Sequence, residues 1–326
     1  MTSNARRPGL RSDQRPEGSD SDEKREDERD APVRGSGPSV VALGGGHGLA
    51  ATIAALRLYA SEVTAVVSVA DDGGSSGRLR RTIGIPAPGD LRRCLSALAD
   101  PDNPWAAALE YRFPAGTGGL EDHALGNLML AALAGPDRDL TGPARRVARL
   151  LGACGTALPA TSVPVDLEAD IGDQSVVGQL AVAQTPGGIR RLRLRPESPP
   201  APPQAVAAIA AADQVVLGPG SLYTSVLAAA TVPAIRAALV ATSACRVYVC
   251  NLEPQLPETA GYSSFDHLEA ILAHGVPVDV MVVHGTAGQP EVFRGARIVR
   301  ADLAGPAGAA HEPAKLAVVL ASLGAA

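Results

Sequence analysis

The chain has 326 residues, 46% of them hydrophobic, which is enough for a sizeable buried core in one large or two modest domains. Its formal net charge of −5 argues against a general nucleic-acid-binding surface. No stretch of ~20 apolar residues is free of charged residues, glycine and proline, and no signal-peptide core follows the N-terminus, so we expect neither membrane insertion nor secretion.

Residues 1–37 differ in composition from the rest of the chain. Asp20–Asp30 is a dense run of mixed charge, and arginine, serine, glycine and proline surround it. Such a segment cannot bury enough apolar surface to offset its chain entropy. We predict a disordered, solubilising tail followed by one α/β domain over residues 38–326; a tail that binds a partner or is phosphorylated is the alternative.

The start of the domain has the pattern of a mononucleotide-binding βαβ unit. Ser39–Leu43 is predicted as a strand, Gly44–Gly48 as a glycine turn, Leu49–Ala60 as a helix and Val63–Val69 as a buried strand. This order predicts a phosphate at the N-terminus of the helix.

Two familiar nucleotide motifs do not fit this unit. A P-loop needs a lysine after its glycines, and the lysines of this chain are Lys24 and Lys315. A dinucleotide fingerprint that begins at Gly44 would place its third glycine at position 49, which is Leu49. The sequence therefore matches the fingerprint of an NAD site only in a degenerate form. Schiff-base chemistry needs a lysine in the site and is disfavoured for the same lack of lysines.

An acidic turn follows the second strand. Asp71 and Asp72 are adjacent carboxylates that suit a hydrated Mg²⁺ or a ribose diol. Ser75 and Ser76, among glycines, let backbone N–H groups approach a phosphate, and Arg78 can bind it bidentately. Neighbouring side chains of an extended segment point to opposite sides, so we expect only one carboxylate to face a ligand. A solvated turn is the alternative interpretation.

The middle of the chain predicts two helices and a β-rich insertion. Asp90 is predicted to cap a helix over Leu91–Ala99. In the apolar helix His123–Leu133, Asn127 is either a packing hydrogen bond or a ligand contact. Short β-rich pieces over about residues 161–195 predict an antiparallel meander inserted into the α/β frame.

The second half repeats the strand–turn–helix pattern. Strand Gln214–Leu217 leads into the turn Gly218–Ser221, where Ser221 is predicted as an N-cap before a helix over Leu222–Ala230. Strand Cys245–Cys250 ends at Asn251, and a further strand ends at His284. We therefore predict a Rossmann-like, open, mostly parallel sheet flanked by helices, with a small antiparallel β insertion and a polar rim at one sheet edge.

Catalytic and metal motifs of other classes are missing from the sequence. It contains no nucleophile elbow, no H-E-x-x-H and no C-x-x-C pairing of its four cysteines. His267 and His274 stand seven residues apart on one helix, which favours its polar face over a ligand pair. The cysteine pattern favours a reduced, cytoplasmic protein without a thiolate metal site.

Six segments, in this order, resemble one known family: GGGHG, VADDGGSSGRLR, PAPGDLRRCLSALAD, HALGNLMLAAL, GPGSLYTSVL and CNLEPQLPETAGYS. This is the YvcK family of gluconeogenesis factors, within the CofD-like superfamily, and the resemblance covers about residues 38–322. It implies a cytoplasmic nucleotide-sugar-binding protein of the UDP-N-acetylglucosamine type. It also implies a regulatory role in cell shape and envelope precursor supply on gluconeogenic carbon sources.

The resemblance also implies a set of ligand-binding residues: Gly44, Gly45, Gly46, Asp71, Asp72, Ser75, Ser76, Arg78, Asn127, Gly218, Gly220, Ser221 and Asn251. Mg²⁺ on Asp71 and Asp72, a protein partner in envelope metabolism and a homo-oligomer are compatible with it. The sequence departs from the family at His47, where threonine is common, and at Glu253, Pro254, Pro257 and Ala260 in the late polar loop.

Two functions of different classes follow from this resemblance. The first is a regulator that binds a nucleotide sugar without turnover. The alternative is a 2-phospho-L-lactate transferase that uses a guanosine diphosphate-linked donor, with Mg²⁺ neutralising the diphosphate. The absence of a recognisable general base favours the regulator.

Overall fold

The computed structural model describes Met1 and residues 37–286, 290–306, 308 and 310–323. Residue contacts divide the chain into residues 1–34 and a compact unit over residues 35–326. The predicted tail lies outside the described residues, apart from Met1 and Gly37.

Strands of the compact unit form two sheets. In chain order the strands are β1 (Ser39–Gly44), β2 (Glu62–Val67), β3 (Thr156–Pro159), β4 (Asp166–Ile171), β5 (Gln174–Val177), β6 (Ile189–Arg195), β7 (Gln214–Leu217), β8 (Cys245–Val249), β9 (Val280–His284), β10 (Val292–Phe293) and β11 (Ala296–Ala301). The main sheet has the order β10-β11-β9-β8-β7-β1-β2-β3. All of its pairs are parallel except β10 with β11, which confirms the predicted fold class.

Helices cover both faces of the main sheet. They are α1 (Gly46–Leu56), α2 (Gly74–Ile83), α3 (Gly89–Leu98), α4 (Pro104–Glu110), α5 (Leu125–Ala134), α6 (Thr141–Leu150), α7 (Gln179–Gln184), α8 (Pro203–Ala211), α9 (Ala228–Ala230), α10 (Pro233–Ala241), α11 (Ser264–Ala273) and α12 (Pro313–Leu323). Short 3₁₀ turns lie at Gly118–Leu120 and Gly135–Asp137, and the π-helical segment Leu222–Leu227 runs into α9.

Strand β1 shows how the core is divided between the two faces. Val40 and Ala42 pack into the cluster that contains α1, α3, α6 and α12. Val41 and Leu43 pack into the cluster that contains α8, α10, α11 and the small sheet. Because alternate side chains of a strand point to opposite faces, a continuously apolar β1 supplies both layers.

The order of the main sheet reverses at β1, which makes this strand the topological switch point of the sheet. From β1 the chain proceeds through β2 and β3 on one side, and through β7, β8 and β9 on the other. Ligands of open α/β sheets bind beyond the carboxyl ends of the strands at such a switch point. The turns that follow β1 and β7 lie at this position.

The β-rich insertion differs from the predicted meander. Strand β4 is central in the order β5-β4-β6 and pairs antiparallel with both neighbours. Residues 179–184, expected as strand, form α7. Gly178 follows β5 directly and has a φ of 108°, a conformation that favours glycine, so it allows the chain to turn into the helix.

Several predicted boundaries shift near the site. Helix α1 begins at Gly46, three residues earlier than predicted, and α2 begins directly after the acidic turn. Helix α3 begins at Gly89, so Asp90 lies in its first turn and is not its N-cap. His267 is buried, against the predicted polar face.

No single helix of the described residues is long and apolar enough to cross a membrane. The helices over Leu222–Ala230 and Pro233–Ala241 pass that test only as a pair, with a bend of 77° between them.

Candidate nucleotide site

The two glycine turns pack directly against each other at the switch point. The backbone of Gly48 lies so close to Pro219 that an added Cβ would stand 2.2 Å from the Pro219 carbonyl oxygen. The Thr52 hydroxyl of α1 donates to the Gly218 carbonyl at 2.8 Å. The turns after β1 and β7 therefore form one wall.

The N-terminus of α1 already contacts a carboxylate of the protein itself. The Asp90 side chain accepts a hydrogen bond from the Gly46 backbone N–H, and a Cβ on Gly45 would stand 2.5 Å from an Asp90 oxygen. Burial raises the pKa of Asp90, and the nearby charge of Asp71 raises it further, while Arg93, whose Nη1 donates at 2.6 Å, lowers it. A phosphate at Gly46 would meet this acid, which argues against the position predicted for it.

Internal partners also occupy the turn after β7. The Asn251 amide accepts from Gly220 N at 2.8 Å and donates to Gly220 O at 2.9 Å. The Glu258 carboxylate accepts from Tyr223 N at 2.7 Å and from the Thr224 backbone and hydroxyl at 3.3 and 2.8 Å. Ser221 stands at the predicted N-cap position but makes no capping hydrogen bond. The backbone N–H groups of Gly220, Tyr223 and Thr224 therefore have partners within the protein and are not free for an anion.

A cavity of about 360 Å³ opens beside the paired turns, and we call it the glycine-turn cavity. Gly48 and Gly220 line it from the two turns, and Asn251, Gln255 and His311 line it from the later loops. His311 is buried, and its Nε2 lies 3.1 Å from the Cys250 carbonyl oxygen. The cavity thus offers a largely apolar wall with amide and imidazole groups at its edge.

The two adjacent aspartates point to opposite sides, as the alternation predicts. Asp71 Oδ1 accepts from Gly73 N at 3.0 Å, and the residue lines a cavity together with Ser75 and Ser76. Asp72 faces the insertion, where its two oxygens accept from Gln179 N at 2.9 Å and from the next backbone N–H at 3.0 Å. Asp72 therefore caps α7, and the structure does not bring the pair together as a two-carboxylate site.

The cavity on the Asp71 side also measures about 360 Å³, and we call it the arginine cavity. The first turn of α2 lines it without a side-chain cap, so its free N–H groups and partial positive charge favour an anion. Arg92, Arg93 and Arg112 line it as well. Arg92 is only 2% exposed, and its Nε donates to Glu110 at 3.1 Å.

Burial lowers the pKa of Arg92, and the neighbouring Glu110 charge opposes this effect. A buried guanidinium next to a helix N-terminus is an arrangement that attracts phosphate. In the sequence, Arg92 and Arg93 stand early in a predicted helix, from which either could face the acidic turn. The packing of α3 makes both of them line this cavity.

A buried polar network forms the floor of the arginine cavity. Asn127 Nδ2 donates to Ser75 Oγ at 3.0 Å, and the same hydroxyl lies 2.9 Å from His123 Nδ1. Asn127 Oδ1 accepts from Arg92 at 3.5 Å. Burial and the charge of Arg78 lower the pKa of His123. The network fixes the hydroxyl and amide that face the cavity. Asn127 makes packing hydrogen bonds and also lines the cavity, so a ligand contact by this residue stays a prediction.

The remaining predicted residues do not line either cavity. Arg78 donates to the Glu121 carbonyl and holds the loop before α5. Gly44, Gly45, Gly46, Gly218 and Ser221 shape the turns, whereas Asp72 lines a separate depression with Arg80 and Arg81. Within the described residues no group of three or more His, Cys, Asp or Glu side chains is arranged to hold a metal ion.

Comparison with known proteins identifies the family. The sequence model of the family described as 2-phospho-L-lactate transferase CofD matches residues 40–317. The chain belongs to the CofD family. The match spans the main sheet from β1 through β11 and includes every residue of both cavities.

Among curated CofD-family proteins, a Mycobacterium leprae protein named "Putative gluconeogenesis factor" is 44% identical over 310 residues, which cover 88% of this chain and 86% of the relative. The Bacillus subtilis "Gluconeogenesis factor" is 38% identical over 241 residues, 74% of this chain and 76% of the relative. The crystal structure of a member of the UPF0052 family from Bacillus halodurans superposes with a TM-score of 0.81 at 33% identity, covering 88% of this chain and 99% of that chain.

Proposed function

We propose that this CofD-family protein is a cytoplasmic, nucleotide-sugar-binding regulator that acts without turnover, as a gluconeogenesis factor that adjusts envelope precursor supply through a protein partner. The similarity to gluconeogenesis factors supports the physiological part of the proposal. The observation that supports the ligand is the pair of cavities on the carboxyl edge of the sheet, one beside the N-terminus of α1 and the other beside the N-terminus of α2.

The two cavities differ in chemistry: one suits the charged diphosphate of a nucleotide sugar, and the other suits its base or sugar. In the arginine cavity, Arg92, Arg93 and the α2 N-terminus suit a diphosphate. In the glycine-turn cavity, the amide of Gln255 and the imidazole of His311 suit the base or the sugar. We place the diphosphate at α2, and not at the predicted α1 position, because Asp90 occupies the latter.

The regulator is favoured over the transferase because the two adjacent acids, Asp71 and Asp72, do not face one site together. A single carboxylate, Asp71, faces the arginine cavity from the acidic turn, and Asp72 is committed to α7. One acid suits a ribose or sugar hydroxyl. A bound ligand then changes the surface that a protein partner contacts.

Calorimetry with the full chain tests the ligand. We expect heat with UDP-N-acetylglucosamine, weaker heat with a guanosine diphosphate sugar, and none with NAD. Clear NAD binding without any response to UDP-sugars would overturn the proposal.

Mass spectrometry tests the absence of turnover. Incubation with a guanosine diphosphate-linked phospholactate donor and the deazaflavin acceptor, with and without Mg²⁺, is expected to leave the acceptor unchanged. A phospholactate adduct that Asp71→Asn abolishes would establish the transferase instead.

A further inference from the structure

A third cavity, which we call the β6 cavity, shares no lining residue with the glycine-turn or arginine cavities. It measures about 690 Å³, within the size range of small-molecule sites. Strand β6 forms one wall, and the start of α10 and the end of α11 form the others. Four arginines line it, namely Arg190, Arg191, Arg193 and Arg236, whereas Glu197 is the one acid among its described lining residues.

Two of these arginines are partly satisfied within the protein. Arg193 donates two hydrogen bonds to Asp170, at 2.6 and 2.8 Å. Arg190 donates to the Gly172 carbonyl and lies 3.9 Å from the exposed Asp173. These contacts neutralise the Arg193 charge and weaken that of Arg190.

Arg191 and Arg236 differ from that pair, because the guanidinium group of neither forms a hydrogen bond or ion pair with another described residue, although the charge of Arg191 also acts on Asp170. Arg191 comes from β6 and Arg236 from α10, yet both charges act on the same imidazole, that of His274. They therefore converge on one part of the cavity from two elements. Two unpaired guanidinium groups in a concave site repel each other unless an anion lies between them.

His274 holds the elements that carry Arg191 and Arg236 in place. Its Nδ1 lies 2.7 Å from the Ala270 carbonyl, and its Nε2 accepts from Leu192 N at 2.9 Å. Both ring nitrogens are thus used in the neutral form, and burial together with the two arginine charges lowers its pKa. The imidazole joins α11 to β6 and keeps the two cationic walls at a fixed separation.

We propose that the β6 cavity binds a small molecule that carries two or more phosphoryl groups, at a site separate from the nucleotide cleft. Arg191 and Arg236 bind the phosphoryl groups, and the Ser198 side chain on the rim is a further hydrogen-bond donor. A small molecule is favoured over an acidic protein segment because the arginines converge within a concavity and do not line an extended surface.

Calorimetry with inorganic tripolyphosphate tests this site with a pair of double variants. We expect Arg191→Gln/Arg236→Gln to weaken tripolyphosphate binding at least tenfold. The matched control is Arg145→Gln/Arg149→Gln, which removes the same charge from the exposed face of α6 and is expected to change binding less than twofold. Higher salt should weaken the binding, since guanidinium–phosphate attraction is screened.

Hydrogen–deuterium exchange locates the site. Tripolyphosphate should slow exchange in the peptide that covers β6 in the native chain, and not in the Arg191→Gln/Arg236→Gln variant. The proposal is overturned if tripolyphosphate does not bind, or if both double variants bind it with equal affinity. It is also overturned if protection from exchange appears only at α2. Binding of an oligoglutamate peptide through Arg191 and Arg236, without binding of tripolyphosphate, would overturn it as well. UDP-N-acetylglucosamine plays no part here, so this result is independent of the proposed function.

Discussion

Asp71 and Asp72 are neighbours in the chain, yet their carboxylates contact different parts of the molecule. Asp71 closes a local turn through Gly73 N and faces the arginine cavity. Asp72 accepts two backbone hydrogen bonds from the start of α7, more than 100 residues later. The same residue type therefore lines a cavity at one position and caps a helix N-terminus at the next.

Substitution to asparagine separates these two roles. Asp71→Asn should weaken nucleotide-sugar binding about tenfold to hundredfold, the loss expected for one charge-assisted contact, and leave the melting temperature of the free protein nearly unchanged. Asp72→Asn should lower the free energy of unfolding by about 0.5–2 kcal/mol, the usual range for a lost N-cap, with little effect on affinity. Calorimetry and thermal melts of both variants check this, and the reverse pattern would exchange the assignments.

Helix α1 and the turn after β7 are the elements that build the cleft wall. Gly48 permits the contact because its Cα faces the Pro219 carbonyl. Glu258 orders the helical segment after this turn from a loop further along the chain. Both contacts are tertiary, and each depends on one residue.

Gly48→Ala should strongly destabilise the chain, because its Cβ would lie 2.2 Å from a backbone oxygen that cannot move without shifting the turn. Gly46→Ala is the matched control, since its Cβ would meet no atom within 4 Å and only its φ of +64° disfavours alanine. We expect a loss of about 1 kcal/mol for Gly46→Ala and several times more for Gly48→Ala. Denaturant unfolding compares the two, and equal losses would contradict the packing argument.

Glu258→Ala should leave three donors of Tyr223 and Thr224 without partners in a buried site. At about 1–3 kcal/mol for each unsatisfied group, we expect a large drop in melting temperature. Glu258→Gln keeps one acceptor oxygen and should lose much less. If Glu258→Ala instead leaves the melting temperature unchanged and increases nucleotide affinity, this helix start is an anion site.

At the scale of the whole molecule, four histidines, three of them buried and His274 half-buried, make the free energy of unfolding depend on pH. Burial holds the pKa of each below its ordinary value of 6.5: His123, His267, His274 and His311. The unfolded chain therefore binds protons more readily near neutrality than the folded chain does. The contribution of these histidines to the free energy of unfolding is complete above about pH 6.5. It is lost as the pH falls, by about 1.4 kcal/mol for each unit by which the pKa is lowered.

Thermal melts of the free protein between about pH 7.5 and about pH 5 should show this decline. His267→Phe removes one buried titrating group, whose Nε2 has no hydrogen-bond partner among the described residues, and should flatten the pH dependence. A second decline is expected as the pH falls from about 4.5 to about 2, because Glu168 then takes up a proton in the unfolded chain but stays ionised in the folded one. Its hydrogen bond with Arg195 lowers its pKa from 4.5 to about 2 in the folded chain. Identical slopes in the native chain and His267→Phe would refute the histidine assignment.

Local pattern alone determined the α/β frame of this protein. The apolar β1 and β2, the glycine turns and the apolar helices follow from side-chain periodicity and backbone freedom, which are properties of neighbouring residues. The opposite directions of Asp71 and Asp72 follow from the same alternation.

Only the tertiary structure decided which groups face the two cavities. Arg92 enters the cavity, Asp90 occupies the α1 N-terminus and Glu258 occupies the segment after β7 because distant elements pack there. The partners of Asp72 and Tyr223 lie 107 and 35 residues away. A sequence pattern describes a residue's neighbours in the chain, whereas hydrogen bonding and burial depend on its neighbours in space.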